Sequence, residues 1–514
     1  MAVRRRKGPR QSVYARILEY SGQCRHTREI SGRNRRRNGG RCQEFYERIP
    51  CRRRGSLVGR RAGTQKMTGR ETKSAKLKIS TVAIAAFASV VIHTTASHGG
   101  EVNTFQLKNG LKVIHRQIPR HPVVAISVFA RSGALYEPKG KSGITYLTQS
   151  LVTKGTKNRT AAQIADDCEK IGISISASAD KDYAMVDSAS SSEQAAETAA
   201  LMADVIINPI FPKEEFDKEK TAAIAAARSR KDRIFTVADD LSDEIFYGDA
   251  HPYSAPETGT EKSIVKISRG DVIKWHARTY TSDNMVITVA GDISADDARA
   301  AMERSFGGAP SGRVMKPSKS AAAKKKSALS EKHDFRQAFL MLSYPAPRVG
   351  EAGYAELKLI AGALGSRMSG RLFRELREKL SLAYEVNALY PTRASDAKFT
   401  FYIGLDAANV ETARRQLRRI ISEVKENGLF DDEIAETKRY LAGIRKLQRQ
   451  TAARRAFYDG FWTIMGKDPS YDEKLSSDID ALGKDSIQAA ARKYFDEADE
   501  VEIIITPVEK SRTQ

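Results

Sequence analysis

From about Asn103 onward the chain alternates short strand-like and helix-like patterns. The run Phe105-Gln106-Leu107-Lys108-Asn109-Gly110-Leu111-Lys112-Val113 sets Asn-Gly between two alternating apolar stretches, which predicts a hairpin turn. Further strands are predicted over 123–130, 173–179, 184–189 and 285–290. Helical spacing lies between them. Over 161–171 the helix opens on Thr160 with Gln163 three residues later, a capping box, and 197–206 and 213–227 repeat apolar residues every three to four positions. One more helix starts after Ser294, with Asp297 three residues on, and the lobe ends around Gly307-Gly308.

Residues 310–330 are rich in Pro, Ser, Ala and Lys without a hydrophobic period, and are expected to link this lobe (103–309) to a second one (331–510). The second lobe shows strands at 338–343 and 399–404 and helices at 354–364, 372–379 and 410–425. It repeats the order of the first. Glu197-Thr198-Ala199 opens a helix running to Asn208-Pro209-Ile210-Phe211 with another starting at Lys213; Glu411-Thr412-Ala413 leads likewise to Asn427-Gly428-Leu429-Phe430 and a helix from Asp431. A period of some 200 residues is too long for a solenoid. The expected architecture is two tandem, similar α+β lobes, each an antiparallel-rich sheet packed with helices.

Charge changes the picture only at the front. Residues 1–66 hold 20 Lys and Arg against 4 Glu, which supplies most of the +23 carried by all 514 residues. This basic leader is expected to be unstructured or to lie upstream of the native start. The alternative is a basic arm that binds nucleic acid. Behind Met67 come Arg70, Lys73, Lys76 and Lys78, the apolar run ISTVAIAAFASVVI over 79–92, and the small residues Thr94-Thr95-Ala96-Ser97, the layout of a secretory signal over 67–97. Fourteen residues are short for a bilayer span, so cleavage near Ala96 and a periplasmic or otherwise exported protein are expected. Cys24, Cys42 and Cys51 lie in the leader; Cys168 stands alone downstream and is expected to pack as a small hydrophobe.

The segment from Ser142 to Thr160, SGITYLTQSLVTKGTKNRT, resembles the metal-site helix of the pitrilysin/insulinase family of zinc peptidases, to which the mitochondrial processing peptidases belong. In that family the helix carries H-x-x-E-H, two zinc ligands and a general base, before a Lys-Gly-Thr turn. Here the flanks match and the motif does not: the histidine positions fall on Tyr146 and Ser150, and the glutamate falls on Gln149. A phenol, an amide and a hydroxyl at i, i+3 and i+4 do not replace two imidazoles and a carboxylate. The third ligand position, on the helix from Glu219, falls on Ala225 or Ala226. His98, His115, His121, His251, His276 and His333 show no metal-ligand spacing and are expected on the surface or in packing.

Residues 369–384, SGRLFRELREKLSLAY, are similar to the family's arginine/tyrosine segment, whose Arg and Tyr help hold substrate; the match falls on Arg377 and Tyr384. A guanidinium and a phenol can together grip a peptide carbonyl and donate to a developing oxyanion. Ser381 stands where relatives often have a helix-closing glycine. Gly362, Gly365 and Gly370 lack a strand-turn-helix setting for a phosphate loop and are expected to form a loop beside the Arg377 helix. The resemblance implies a processing-peptidase-like fold and a non-catalytic, substrate-gripping subunit that binds no metal itself. It pairs with an H-x-x-E-H subunit, which carries the zinc, to act on peptides; nucleic acid is not a partner, and the membrane is met only through the export signal. The alternative is a peptide-binding chaperone or scaffold of the same fold.

Overall fold

The computed structural model describes residues 102–317, 322 and 326–508. The basic leader, the signal-like segment and their cysteines lie outside the described residues.

The first lobe is built on a six-stranded sheet of β1 (Val102–Gln106), β2 (Lys112–Gln117), β3 (Val123–Ala130), β4 (Ser176–Ala179), β5 (Ala184–Ser191) and β6 (Met285–Gly291), in the order β1-β2-β6-β3-β5-β4. Only the β2/β6 pair is parallel. The Asn-Gly turn closes β1 on β2, with Gly110 at φ +84° and the Asn109 carboxamide accepting from the Leu111 amide at 3.1 Å. Its helices are α1 (Ile144–Leu151), α2 (Ala161–Lys170), α3 (Ala195–Ile207), α4 (Lys213–Ser229), α5 (Ile234–Tyr247), α6 (Glu261–Val265), α7 (Arg269–Thr279) and α8 (Ala295–Phe306). The Thr160/Gln163 capping box of α2 and the Ser294 cap of α8 form as their sequences predict. Cys168 is buried on α2, and burial pushes its thiol up.

The second sheet has β7 (Ser327–His333), β8 (Ala338–Ala346), β9 (Ala383–Leu389), β10 (Ala397–Leu405) and β11 (Val501–Pro507), in the order β7-β11-β8-β10-β9, with only β7/β11 parallel. Its helices are α9 (Tyr354–Leu364), a π-helix over Phe373–Lys379, α10 (Val410–Asn427), α11 (Asp431–Gln448), α12 (Ala452–Ile464), α13 (Tyr471–Ala481) and α14 (Lys484–Tyr494). Without β1, the two sheets have one topology: β2, β6, β3, β5 and β4 correspond in place and direction to β7, β11, β8, β10 and β9. The duplication read from the helix starts is therefore a duplication of the whole lobe.

Two boundaries differ from expectation. β7 begins at Ser327, inside the stretch expected to be linker, because only one face of this edge strand packs and its polar alternation hides it. The same stretch is anchored earlier by buried Met315, whose amide donates to the Asn284 carboxamide at 3.0 Å. The strand expected over 173–179 starts at Ser176, where its ladder with β5 begins. Gly362 lies within α9 rather than in a loop; a Cβ there would meet Thr437 Cγ2 at 2.9 Å, so the glycine lets α9 approach α11.

The lobes exchange one helix each. Residues of α5 bury Ala238, Phe246 and Tyr247 against Phe339, Met341, Ile503 and Ile505 of the second sheet, while α12 crosses β3 and β6 of the first. The approach of α12 is close: a Cβ on Gly460 would stand 2.2 Å from the Phe129 ring. Arg116 on β2 and Asp459 on α12 form a buried two-pronged pair at 2.8 Å, Arg393 reaches Asp180 and Asp182 at 3.1 and 3.2 Å, and Lys398 meets Asp243 at 2.7 Å. Apolar burial drives the exchange, and the paired charges fix its register.

Candidate functional site

Helix α1 starts at Gly143, whose φ of +88° and tight fit demand glycine: a Cβ would lie 2.6 Å from the Thr258 carbonyl oxygen. The Glu137 carboxylate accepts from the amides of Gly143 and Thr145, both at 2.9 Å, and so caps the helix. Burial raises its pKa to about 7 in spite of these two bonds.

Gln149 is 3% exposed and saturated. Its Nε2 donates to the carbonyls of Ser178 and Met185, facing residues of β4 and β5, each at 2.9 Å, and its Oε1 accepts from the buried Tyr280 hydroxyl. This seat needs a two-proton donor on one atom and an acceptor on the other, which is an amide. The Ser150 hydroxyl donates back to Leu147 within its own helix at 2.9 Å. Tyr146 is half-buried, and burial together with the charges of Glu219 and Glu257 raises its phenol pKa.

Helix α4 packs against α1 as the resemblance requires, and Lys154 pairs with Glu219 at 3.0 Å. At the third-ligand position α4 offers only the methyl groups of Ala225 and Ala226. The zinc that the metal-site motif would hold does not fit these side chains: the amide and the hydroxyl are committed to protein partners, and the phenol is held protonated. Among the described residues no three His, Cys, Asp or Glu side chains converge to bind a metal.

Of the described histidines, His115, His251 and His276 are buried, His333 pairs with Glu331 at the surface and His121 is exposed. His276 is buried, stacks on Tyr280 at 4.8 Å and is lowered to about 4 by burial. His115 is buried with Nε2 3.0 Å from the Ile293 carbonyl oxygen.

In the second lobe Arg377 and Tyr384 lie side by side. The π-helix closes through Ser381, in the left-handed region at φ +52°, with the Leu382 amide donating to the Leu376 carbonyl at 2.8 Å. The left-handed residue that ends the helix is thus a serine in the position that usually takes glycine. The chain then enters β9, the free edge of the sheet. Glu385 faces Gly404 and Ala383 faces Leu405, so Tyr384 is the unpaired residue of a bulge and its ring is turned outward, 59% exposed. Arg377 donates from Nη1 to the Tyr384 carbonyl at 2.8 Å, with its guanidinium 5.0 Å over the Phe373 ring.

Comparison with known proteins follows this division of the chain. Residues 112–247 match the family model described as Insulinase (Peptidase family M16), and residues 266–441 match the Peptidase M16 inactive domain. The chain belongs to peptidase family M16. An uncharacterized zinc protease of Rickettsia bellii is 27% identical over 401 residues, 77% of this chain and 96% of that protein. The uncharacterized zinc protease YmxG of Bacillus subtilis is 25% identical over 398 residues, again 77% of this chain and 96% of that protein. Among solved structures, a peptidase M16 inactive domain from Pseudomonas fluorescens superposes with a TM-score of 0.75 at 24% identity, covering 80% of this chain and 99% of that one. A protease from Helicobacter pylori gives 0.76 at 19%, covering 80% and 100%. The two-lobed M16 fold is thus shared.

Sequence reasoning missed what surrounds the degenerate face of this M16 chain. Tyr280, the Ser178 and Met185 carbonyls and Glu257 reach α1 from separate elements, and no local pattern marks them.

Proposed function

We propose that this chain is a non-catalytic M16 subunit of the cell envelope that holds peptides for a separate H-x-x-E-H subunit, which would carry the zinc. The observation that carries the reading is Gln149: the position of the general base is built into the protein interior as an amide, with every polar atom committed. The display of Tyr384 at a free sheet edge supports the other half of the reading, since an edge strand offers backbone groups to an extended peptide. Arg377, bonded to the Tyr384 carbonyl and stacked on Phe373, keeps further N–H donors for such a peptide.

Co-purification from the cell envelope, with peptidase assays of the complex and of the isolated chain, tests the reading. The complex should cleave and the chain alone should not. Arg377→Ala and Tyr384→Phe should each depress cleavage about 100–1000-fold with assembly intact. Unchanged kinetics would remove the pair from the mechanism. Recovery of the chain without any H-x-x-E-H partner would favour the chaperone or scaffold alternative.

A further inference from the structure

At the seam between the first sheet and α12, guanidinium groups gather from three segments. Ile118 and Ala452 both pack against the cluster of Ala125, Ala290 and Ala456, which sets the turn after β2, with Arg120, near the first turn of α12, with Arg454 and Arg455. Arg445 and Arg449 come from the end of α11 and share Asp472. Arg116 is taken by Asp459. These carboxylates leave a remainder: among the described residues no carboxylate lies within ion-pair distance of Arg120, Arg454 or Arg455.

The placement runs against local preference. The first turn of α12 carries two arginines and no acid, at the positive end of the helix dipole. Arg455 donates to the Arg449 carbonyl at 2.9 Å, and burial with the neighbouring charges of Arg116, Arg449 and Arg120 lowers its pKa, against the opposing pull of Asp459, which already pairs with Arg116. Charges kept where they repel each other and the helix end are a local inconsistency of the kind that marks a functional site.

We propose that Arg120, Arg455 and Arg454 form a docking stripe for an acidic peptide segment. Successive residues on α12 point about 100° apart. Arg455 therefore lies toward Arg116 and Arg120, while Arg454 lies toward Asp187 on β5, whose carboxyl it influences. A stripe of separated guanidiniums suits several carboxylates along an extended chain better than one compact ion, since each planar fork can take its own carboxylate. The choice of a peptide ligand rests on the peptide-holding reading; the excess of cations does not.

The test is fluorescence anisotropy of the purified chain with a labelled twelve-residue peptide of alternating Glu and Ala and its Gln analogue, at low and physiological salt. The acidic peptide should bind about tenfold more tightly at low salt, with the preference shrinking as salt rises. The double variant Arg120→Gln/Arg454→Gln, which removes no side-chain bond to the described protein, should erase that preference. Adding Arg455→Gln should do no less. Equal binding of the two peptides, or an acidic preference untouched by the double variant, overturns the stripe. Cleavage by the complex reports separately on the peptide-holding reading, so the absence of any acidic preference in the wild-type chain, with cleavage by the complex intact, would sink the stripe alone.

Discussion

Restoring the family's carboxylate by Gln149→Glu should harm this protein without returning a metal site. An ionised glutamate has no proton for the Ser178 and Met185 carbonyls, which now each receive one at 2.9 Å. Leaving two buried carbonyls without donors costs roughly 1–3 kcal/mol apiece, and the carboxylate would also face their negative ends. The side chain can instead stay protonated, but its single proton then serves one of the two carbonyls and leaves the other at a cost of roughly 1–3 kcal/mol. Holding it neutral at pH 7, about 3 units above an ordinary glutamate value, costs roughly 4 kcal/mol. Both routes cost several kcal/mol, so the loss near neutrality should be roughly 4–6 kcal/mol. Its pH dependence follows from sign. A folded-state pKa raised above the unfolded value costs nothing below the unfolded value, and the cost grows as pH rises toward the folded one. Urea unfolding of wild type and variant at pH 5 and pH 8 should show a clear deficit at pH 8 and a smaller one at pH 5, and metal analysis should find no stoichiometric zinc. A variant as stable as wild type at pH 8 would refute the claim that the seat is built for an amide; bound zinc would refute the claim that the face does not fit a metal.

Arg116→Ala leaves Asp459 buried without its partner and should cost about 3–5 kcal/mol in urea unfolding, whereas Arg116→Met with Asp459→Leu should recover most of it. Glu137 has a folded pKa raised from 4.5 to about 7, so its contribution is full below 4.5 and is lost as pH rises through 7; the stability of wild type relative to Glu137→Gln should fall across that window, and a flat difference would contradict the burial of this carboxyl.

Much of the fold was legible because its signals are local. The Asn-Gly turn, the Thr160 capping box and the Ser294 cap are decided by neighbouring residues, and each forms where its residues predict. The duplication was visible for a related reason: matching helix starts recur in matching order, and each lobe must bury the same apolar faces. The loss of ligand chemistry on α1 was legible from residue type alone, since no geometry makes Tyr146, Gln149 and Ser150 equivalent to two imidazoles and a carboxylate. The edge strand β7 was not, because a strand packed on one face and closed by a distant parallel partner leaves little pattern in SALSEKH. Nor could the chain's own order show that α5 belongs to the second sheet and α12 to the first, or that Arg116 meets Asp459 across 343 positions. Only the tertiary structure decided that Gln149 is held from three directions and that Arg377 pins the bulge from which Tyr384 projects. Hydrophobic period says that a face is buried but not against what, and hydrogen-bond partners brought together by long-range packing have no spacing to read.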